Sequence, residues 1–427
     1  MIVTIVGVGY VGLVSSAVFS DFGNVVFGLD VDEKRIERLQ RGEIPFYEPG
    51  LTELVKRNLR EKRLRFTTSY KDAVSQSDIV FICVGTPPKE NGEADVTYIF
   101  DAAKKMAKYL QEGAIVVLKS TAPPSTTDAI TRLIRERTKR SFSVAACPEF
   151  LREGSAVSDY LAPDRVVFGV SDEKSKEMLF RLHQPIKGER VVLDPKGAMM
   201  VKYASNAFLA SKISFANAIA NLCDRVGTDV KPVLDGLGID RRIGRSFLYP
   251  GVGYGGSCFP KDVLALISIA KKYRYDFTFL KVVHKMNEEQ IPYFIEKAEK
   301  HLGTLKNKEI AILGLSFKPN TDDLREAPSI KIITKLQKKG AKVTAYDPVA
   351  MENAKKLLKD VKYAKNPFDA VEGKDALFLV TEWNQFHELD LPAMKKAMRY
   401  PLLLDGRNFY DPDTLKAIGF IYEGVGR

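Results

Sequence analysis

The run Gly251-Val252-Gly253-Tyr254-Gly255-Gly256-Ser257-Cys258-Phe259-Pro260-Lys261-Asp262 puts one cysteine at the end of a glycine-rich loop, with a lysine and an aspartate inside the next helical turn. Glycine lets backbone pass close to a ligand, and a thiol near a cation can ionise and attack carbon. The other cysteines are Cys83, Cys147 and Cys223, and none forms a CxxC pair, which argues against a zinc site or a disulfide framework. Cys83 and Cys147 fall in apolar strands and Cys223 on a helix, where a cysteine usually serves as a small buried hydrophobe. Cys258 alone sits in a loop of the chemically useful kind, and no metal-ligand set is expected.

A second motif bears on the same chemistry. Gly7-Val8-Gly9-Tyr10-Val11-Gly12 follows an apolar strand and opens a helix, and Asp30 ends the next strand. In that setting the glycines allow a tight turn, close approach of a pyrophosphate and close helix–strand packing, while the helix N-terminus offers N–H donors. A carboxylate at Asp30 suits the 2′-hydroxyl of NAD and repels the 2′-phosphate of NADP, although Arg35 nearby is of the type that accepts such a phosphate. NAD is the expected cofactor. Two further strand ends, Val84-Gly85-Thr86-Pro87-Pro88 and Lys119-Ser120-Thr121-Ala122-Pro123, place hydroxyls and prolines at the sheet edge where ligands bind in open α/β folds; ordinary turn chemistry explains them as well. A nucleophilic cysteine beside a nicotinamide suggests an oxidation that passes through a covalent thioester.

Other chemistry-bearing residues cluster in two places. Glu149 and Glu153 sit four apart in Cys147-Pro148-Glu149-Phe150-Leu151-Arg152-Glu153-Gly154, just past a strand, where they read either as a general base or as acids favouring a helix N-terminus. Lys202 and Asn206 share one helix face that is otherwise apolar, with Ala198, Met199, Ala210 and Ile213 around it. A lysine there either stabilises an oxyanion, with Asn206 holding substrate or water, or snorkels at a domain edge.

The elements that position these groups follow a simple order. Strands are expected at 2–7, 25–32, 64–67, 78–84, 114–119, 143–147 and 165–169, with helices between them, the first over 11–22. That alternation indicates a parallel, doubly wound sheet buried on both faces. From 196 to 227 the pattern becomes a long helix, too apolar for a free surface, ending at Gly227. Shorter helices follow near 229–237 and 260–273, and a charged one over 281–301. A second α/β unit opens with the strand KEIAILG, continues through a helix to Gly340 and a strand ending at Asp347, and adds strands at 375–380 and 401–405. It has no GxGxxG, so it is expected to bind something other than a dinucleotide, or nothing. The expected architecture is two Rossmann-like doubly wound α/β domains joined by a long central helix. The boundaries are 1–195 for NAD binding, 196–300 for a helical dimerisation region carrying the cysteine loop, and 301–427 for the second α/β domain.

The motifs, taken in order, resemble the nucleotide-sugar dehydrogenases. The match runs nearly end to end through GVGYVG, PFYEPGL, VGTPP, KSTAPPST, PEFLREG, PDRVVFG, KYASNAFLASKISF, DRRIGRSFLYPGVGYGGSCFPKD, GLSFKPNTDDLREAPS and DGRN. The resemblance implies a four-electron oxidation of the 6-hydroxyl of UDP-glucose to UDP-glucuronate, with two NAD⁺ reduced. It assigns Cys258 as the nucleophile that carries the thiohemiacetal and thioester, Glu149 to the thioester steps, Thr121 to water positioning and Lys202 to the oxyanion. Asn206 and Asp262 match the family residues given to water and proton handling. By the same resemblance Gly7, Val8, Gly9, Tyr10, Val11, Gly12, Asp30, Arg35, Val84, Gly85, Thr86, Ser120, Thr121, Glu153, Lys261 and Arg325 meet the cofactor. Phe150, Leu151, Arg152 and Glu153 approach the substrate with Glu149, Lys202 and Asn206. Phe247, Leu248, Tyr249, Pro250, Gly251 and Gly255 cradle the sugar nucleotide; Lys318 contacts it from the second α/β domain, Arg407 is a substrate or interdomain residue, and Arg242 reaches across a homodimer interface. The chain departs from the family pattern at Met199 and Ala218, where glutamates are usual, and at Cys147, where an asparagine is usual.

Composition sets the outer bounds. At 427 residues, 45% of them hydrophobic, the chain is expected to form two or three domains. No apolar run approaches the roughly 20 residues of a membrane span, and the N-terminus lacks the basic and cleavage regions of a signal peptide, so a cytoplasmic protein is expected. The net charge of +11 is dispersed and mixed with Glu; even KRNLREKRLR at 56–65 reads as a solvated helix face, and anionic small ligands suit the charge as well as nucleic acid does. The rival readings are a GDP-mannose 6-dehydrogenase, a two-electron β-hydroxyacid dehydrogenase and a non-catalytic basic nucleotide or nucleic-acid binder.

Overall fold

Short apolar runs such as Ile2–Val6 and Ile79–Ile82 are buried along nearly their whole length, the signature of strands covered on both sheet faces. The computed structural model describes all residues 1–427. It divides into two units, Met1–Ser205 and Asn206–Arg427.

The first unit contains β1 (Ile2–Val6), β2 (Val25–Leu29), β3 (Leu64–Thr67), β4 (Ile79–Ile82), β5 (Ala114–Leu118), β6 (Phe142–Ala146), β7 (Arg165–Gly169) and β8 (Glu189–Leu193). They form one sheet in the order β3-β2-β1-β4-β5-β6-β7-β8. Neighbours pair in parallel except β6 with β7, which are antiparallel. One face packs Val3, Ile5, Phe19 and Phe81; the other packs Val80, Ile82, Val116 and Ile130. In such a sheet the strands' C-terminal ends open toward a common ligand edge. That edge carries the turns after β1, β2, β4 and β5, each holding expected cofactor residues.

The second unit contains β9 (Glu309–Leu313), β10 (Lys342–Tyr346), β11 (Val361–Tyr363), β12 (Ala376–Leu379), β13 (Leu402–Asp405) and β14 (Ile421–Glu423). Its all-parallel order is β11-β10-β9-β12-β13-β14. This repeats the order of the first six strands of the first unit. Two Rossmann-like sheets are therefore present, as expected.

The long helix runs Pro195–Val226 over 32 residues. Helices Val230–Ile239, Phe259–Lys272 and Thr278–Leu302 follow. The expected spans are met within a few residues, but the charged helix begins at Thr278 instead of 281, and β8, β11 and β14 were absent from the expected set.

Candidate active site

The glycine turn after β1 is built for a close ligand. A Cβ on Gly12 would overlap the carbonyl oxygen of Gly7, so only glycine lets the helix Tyr10–Asp21 start this near the strand. Its N-cap, Gly9, has no side chain to satisfy the first N–H groups, which leaves the helix end open to an anion. Asp30 is buried beside it: Oδ2 accepts from Val8 N and Arg35 Nη1, each at 3.0 Å, and Oδ1 from Asp32 N at 3.1 Å. Arg35 is thus paired with Asp30. The edges after β4 and β5 are sewn together, since Thr86 Oγ1 donates to Thr121 O at 2.9 Å and Ser120 Oγ to Val84 O at 2.6 Å. Val84, Gly85, Thr86, Ser120 and Thr121 therefore hold one surface.

The loop after β6 presents Glu149. Its Oε1 accepts from Lys202 Nζ at 3.0 Å and its Oε2 from Leu151 N at 2.6 Å. The side chains of Lys202 and Glu149 are 3% and 8% exposed, so the two charges compensate each other out of water. Burial by itself pushes the Glu149 carboxyl up; the Lys202 charge and hydrogen bond, the Leu151 N–H and the charge of Lys119 outweigh it and hold it below the ordinary carboxylate value. Lys202 also lies 5.4 Å from the centre of the Phe150 ring, whose face Arg165 covers at 4.1 Å. Arg152 is mostly exposed and anchored to Asp159 through its backbone N, Nε and Nη2 at 2.9, 3.0 and 2.6 Å. Glu153, next in the loop, is half-buried.

In the second unit Cys258 is the N-cap of the helix Phe259–Lys272, with Pro260 in its first turn. Cys258 is half-buried, and Ser257 Oγ lies 3.5 Å from its sulfur. The helix end favours negative charge at that position. One turn on, Asp262 is fully buried. It accepts from Asn206 Nδ2 at 2.6 Å and from the ammonium of Lys261. A Cβ on Gly255 would overlap the carbonyl oxygen of Glu326, so the approach to the cysteine demands glycine. Phe247 is held at φ 65°, an unfavourable backbone for an aromatic residue and of the kind concentrated at binding sites. Its ring meets Phe259 edge-on at 6.2 Å. Leu248 and Pro250 are buried and Tyr249 is exposed. Arg242 is 88% exposed and bonded to Asp240.

Three buried amides escaped the sequence reading. Asn217 Oδ1 accepts from Gly251 N at 2.8 Å, Gln290 Nε2 donates to Gly251 O at 2.9 Å, and Asn287 pairs with both the N–H and the carbonyl of Tyr254 at 2.8 and 3.1 Å. They fix the glycine loop that ends at Cys258. The available signal was an amide on an otherwise apolar helix face, as at Asn206. Farther along, Arg407 donates from Nε to Val380 O at 2.7 Å and from Nη2 to Phe317 O at 3.0 Å, holding the backbone next to Lys318. Arg325 is paired with Asp323 at 2.6 Å, and its carbonyl accepts from Gly256 N at 3.0 Å.

Three family profiles match the chain consecutively: the UDP-glucose/GDP-mannose dehydrogenase family NAD binding domain over 1–187, its central domain over 196–289 and its UDP binding domain over 311–412. The chain belongs to the UDP-glucose/GDP-mannose dehydrogenase family. Within it, a UDP-glucose 6-dehydrogenase of Bacillus subtilis is 47% identical over 430 residues, covering 100% of this chain and 98% of that one. The solved structure of a UDP-glucose dehydrogenase from Pyrobaculum islandicum superposes with a TM-score of 0.93 at 39% identity, covering 99% of this chain and 97% of the other. A GDP-mannose dehydrogenase from Pseudomonas aeruginosa superposes at 0.56 and 30% identity, with both chains covered in full. The family's NAD-binding domain holds Gly7–Gly12 and Asp30, and the open helix end with the buried carboxylate beside it fits NAD. Lys202, Asn206 and Cys258 fall in the central domain; Lys318, Arg325 and Arg407 fall in the UDP-binding domain. The second α/β unit thus matches the family's UDP binding domain. No helix is long and apolar enough to cross a membrane.

Proposed function

We propose that the chain oxidises C6 of UDP-glucose to the carboxylate of UDP-glucuronate through a thioester on Cys258. The observation that carries this reading is Cys258 at a helix N-cap, one turn before a buried Asp262 already bonded to Asn206. A two-electron alcohol dehydrogenase has no need of such a cysteine. The choice of UDP-glucose is supported by the full-length relative at 47% identity and by the weaker superposition on the GDP-mannose enzyme.

NAD supplies the hydride acceptor for both oxidations. When C6 is an aldehyde, Cys258 Sγ adds to it and the S–C bond forms. Lys202 stabilises the oxyanion that develops on the former carbonyl oxygen. After the second oxidation the acyl group remains on sulfur as a thioester. Glu149 then takes a proton from a water positioned by Thr121. That water attacks the acyl carbon, the C–S bond breaks and the thiol is regenerated. Asn206 and Asp262 hold water and pass protons. Per sugar, one water is consumed, two NADH are formed and three protons are released.

The remaining assignments belong to the same reading. The region 1–195 binds NAD, 196–300 carries the dimer contact and the cysteine loop, and 301–427 binds the UDP-sugar. Phe208, Phe215, Leu222 and Val226 on the helix Pro195–Val226 are 66%, 50%, 54% and 69% exposed, spaced so that they share a face, and we assign that face to a homodimer. Arg242, fully presented, serves the partner's substrate. A reaction that needs a free thiol suits the reducing cytoplasm.

Assay with UDP-glucose and with GDP-mannose, counting NADH with sugar limiting, tests the proposal. Two NADH per UDP-glucose are expected. Turnover of GDP-mannose in preference, or one NADH per sugar, overturns it.

A further inference from the structure

We propose that Glu48 is a positioning residue that ties the glycine turn of the NAD site to the loop bearing Glu149, so that cofactor occupancy and the geometry of that loop are set together. This rests on the role given to Glu149 above. Glu48 lies in Pro45-Phe46-Tyr47-Glu48-Pro49-Gly50-Leu51, and no cofactor or substrate contact is assigned to that segment. It is 5% exposed.

Donors from two distant segments converge on its carboxylate. Tyr10, the first residue of the helix that opens the NAD site, donates its hydroxyl to Oε2. Gly154 N donates to the same oxygen at 2.6 Å, and Ala156 N to Oε1 at 2.7 Å. Gly154 N also lies 3.1 Å from the Tyr10 hydroxyl oxygen. The Tyr10 ring packs on Phe46 with centroids 4.8 Å apart, so the Phe46–Glu48 strap grips both ends of that tyrosine. Burial, with the bond to Glu48 and its charge adding, holds the Tyr10 phenol well above its ordinary value, and Tyr10 remains the donor.

Along Glu149–Ala156 the N–H groups of Leu151, Arg152, Gly154 and Ala156 all end on carboxylates. Glu149 and Asp159 serve the first two from within or just beyond the loop. Glu48 serves the others from 106 and 108 residues away, and it is the member that also holds Tyr10. Both its oxygens are acceptors here, so a glutamine must turn N–H donors toward N–H donors or release one segment.

The test compares wild type, Glu48→Gln, Tyr10→Phe and the double variant for NADH affinity by fluorescence titration without sugar, for kcat and KM with UDP-glucose, and for thermal unfolding. Glu48→Gln is expected to weaken NADH and lower kcat, each roughly tenfold or more, because small displacements of positioned groups are that costly. Tyr10→Phe should move both in the same direction by less, and the double variant should be no worse than Glu48→Gln, since coupled residues do not add. Glu48→Gln that melts earlier but keeps wild-type NADH affinity and kcat overturns the proposal, as do independent effects that multiply. If Glu48→Gln does not fold, Tyr10→Phe decides: unchanged NADH affinity and kcat refute the tie. NADH affinity is read without sugar, so a failure of the proposed oxidation would leave this result standing and would show instead in the NADH count of the wild type.

Discussion

Lys202 Nζ lies 3.0 Å from Glu149 Oε1, with both side chains almost wholly out of water. Such a pair is stable only while both partners are present. Lys202→Met leaves a buried carboxylate without its ion-pair partner, a loss of about 3–5 kcal/mol, and removes the proposed oxyanion partner. Thermal unfolding at neutral pH should fall clearly, and kcat should drop by roughly 10²-fold or more.

The pH dependence follows from the same contact. The Glu149 carboxyl titrates below its ordinary 4.5 in the folded chain. Its stabilising contribution is therefore present above the unfolded value and lost as pH falls through the folded one, below about 4.5. In Lys202→Met burial remains while the cation is gone, so the carboxyl rises. The acid limb of kcat/KM in that variant's residual activity should move to higher pH; an unmoved limb would separate Glu149 from the reaction.

Thiol reactivity should single out one cysteine. Burial pushes the Cys83 thiol up to about 12 and raises those of Cys147 and Cys223. Cys258 is half-buried at a helix end. Iodoacetamide at neutral pH should alkylate Cys258 in step with loss of activity and leave the other three until the chain unfolds. Inactivation that tracks modification of Cys83 or Cys147 would contradict the assignment.

The apolar face of the long helix carries a further expectation. Phe208→Glu with Phe215→Glu should shift the protein from dimer to monomer in sedimentation while leaving far-ultraviolet circular dichroism intact. A wild-type monomer at micromolar concentration would remove the dimer from the account.

Much of this was legible in the residues because strong signals are local. A fully buried parallel strand appears as an apolar run, which is why Ala114–Leu118 is legible nearly to the residue. Val361–Tyr363 and Ile421–Glu423 are three-residue edge strands, and Glu189–Leu193 is an exposed edge; none has enough buried length to announce itself. Chain direction at β7 was equally silent, since antiparallel pairing depends on its neighbour. Glycine motifs and the Lys202–Asn206 spacing pointed to the site. The clasp at Glu48 did not show, because its partners are joined only by folding.

The most direct measurement of the central claim is the mass of the Cys258 peptide from Glu149→Gln, acid-quenched in a single turnover with UDP-glucose and NAD⁺. Slowed hydrolysis should leave a UDP-glucuronyl group on Cys258 with two NADH formed per subunit. Two NADH formed with an unmodified Cys258, or an acyl group on another residue, would contradict the account.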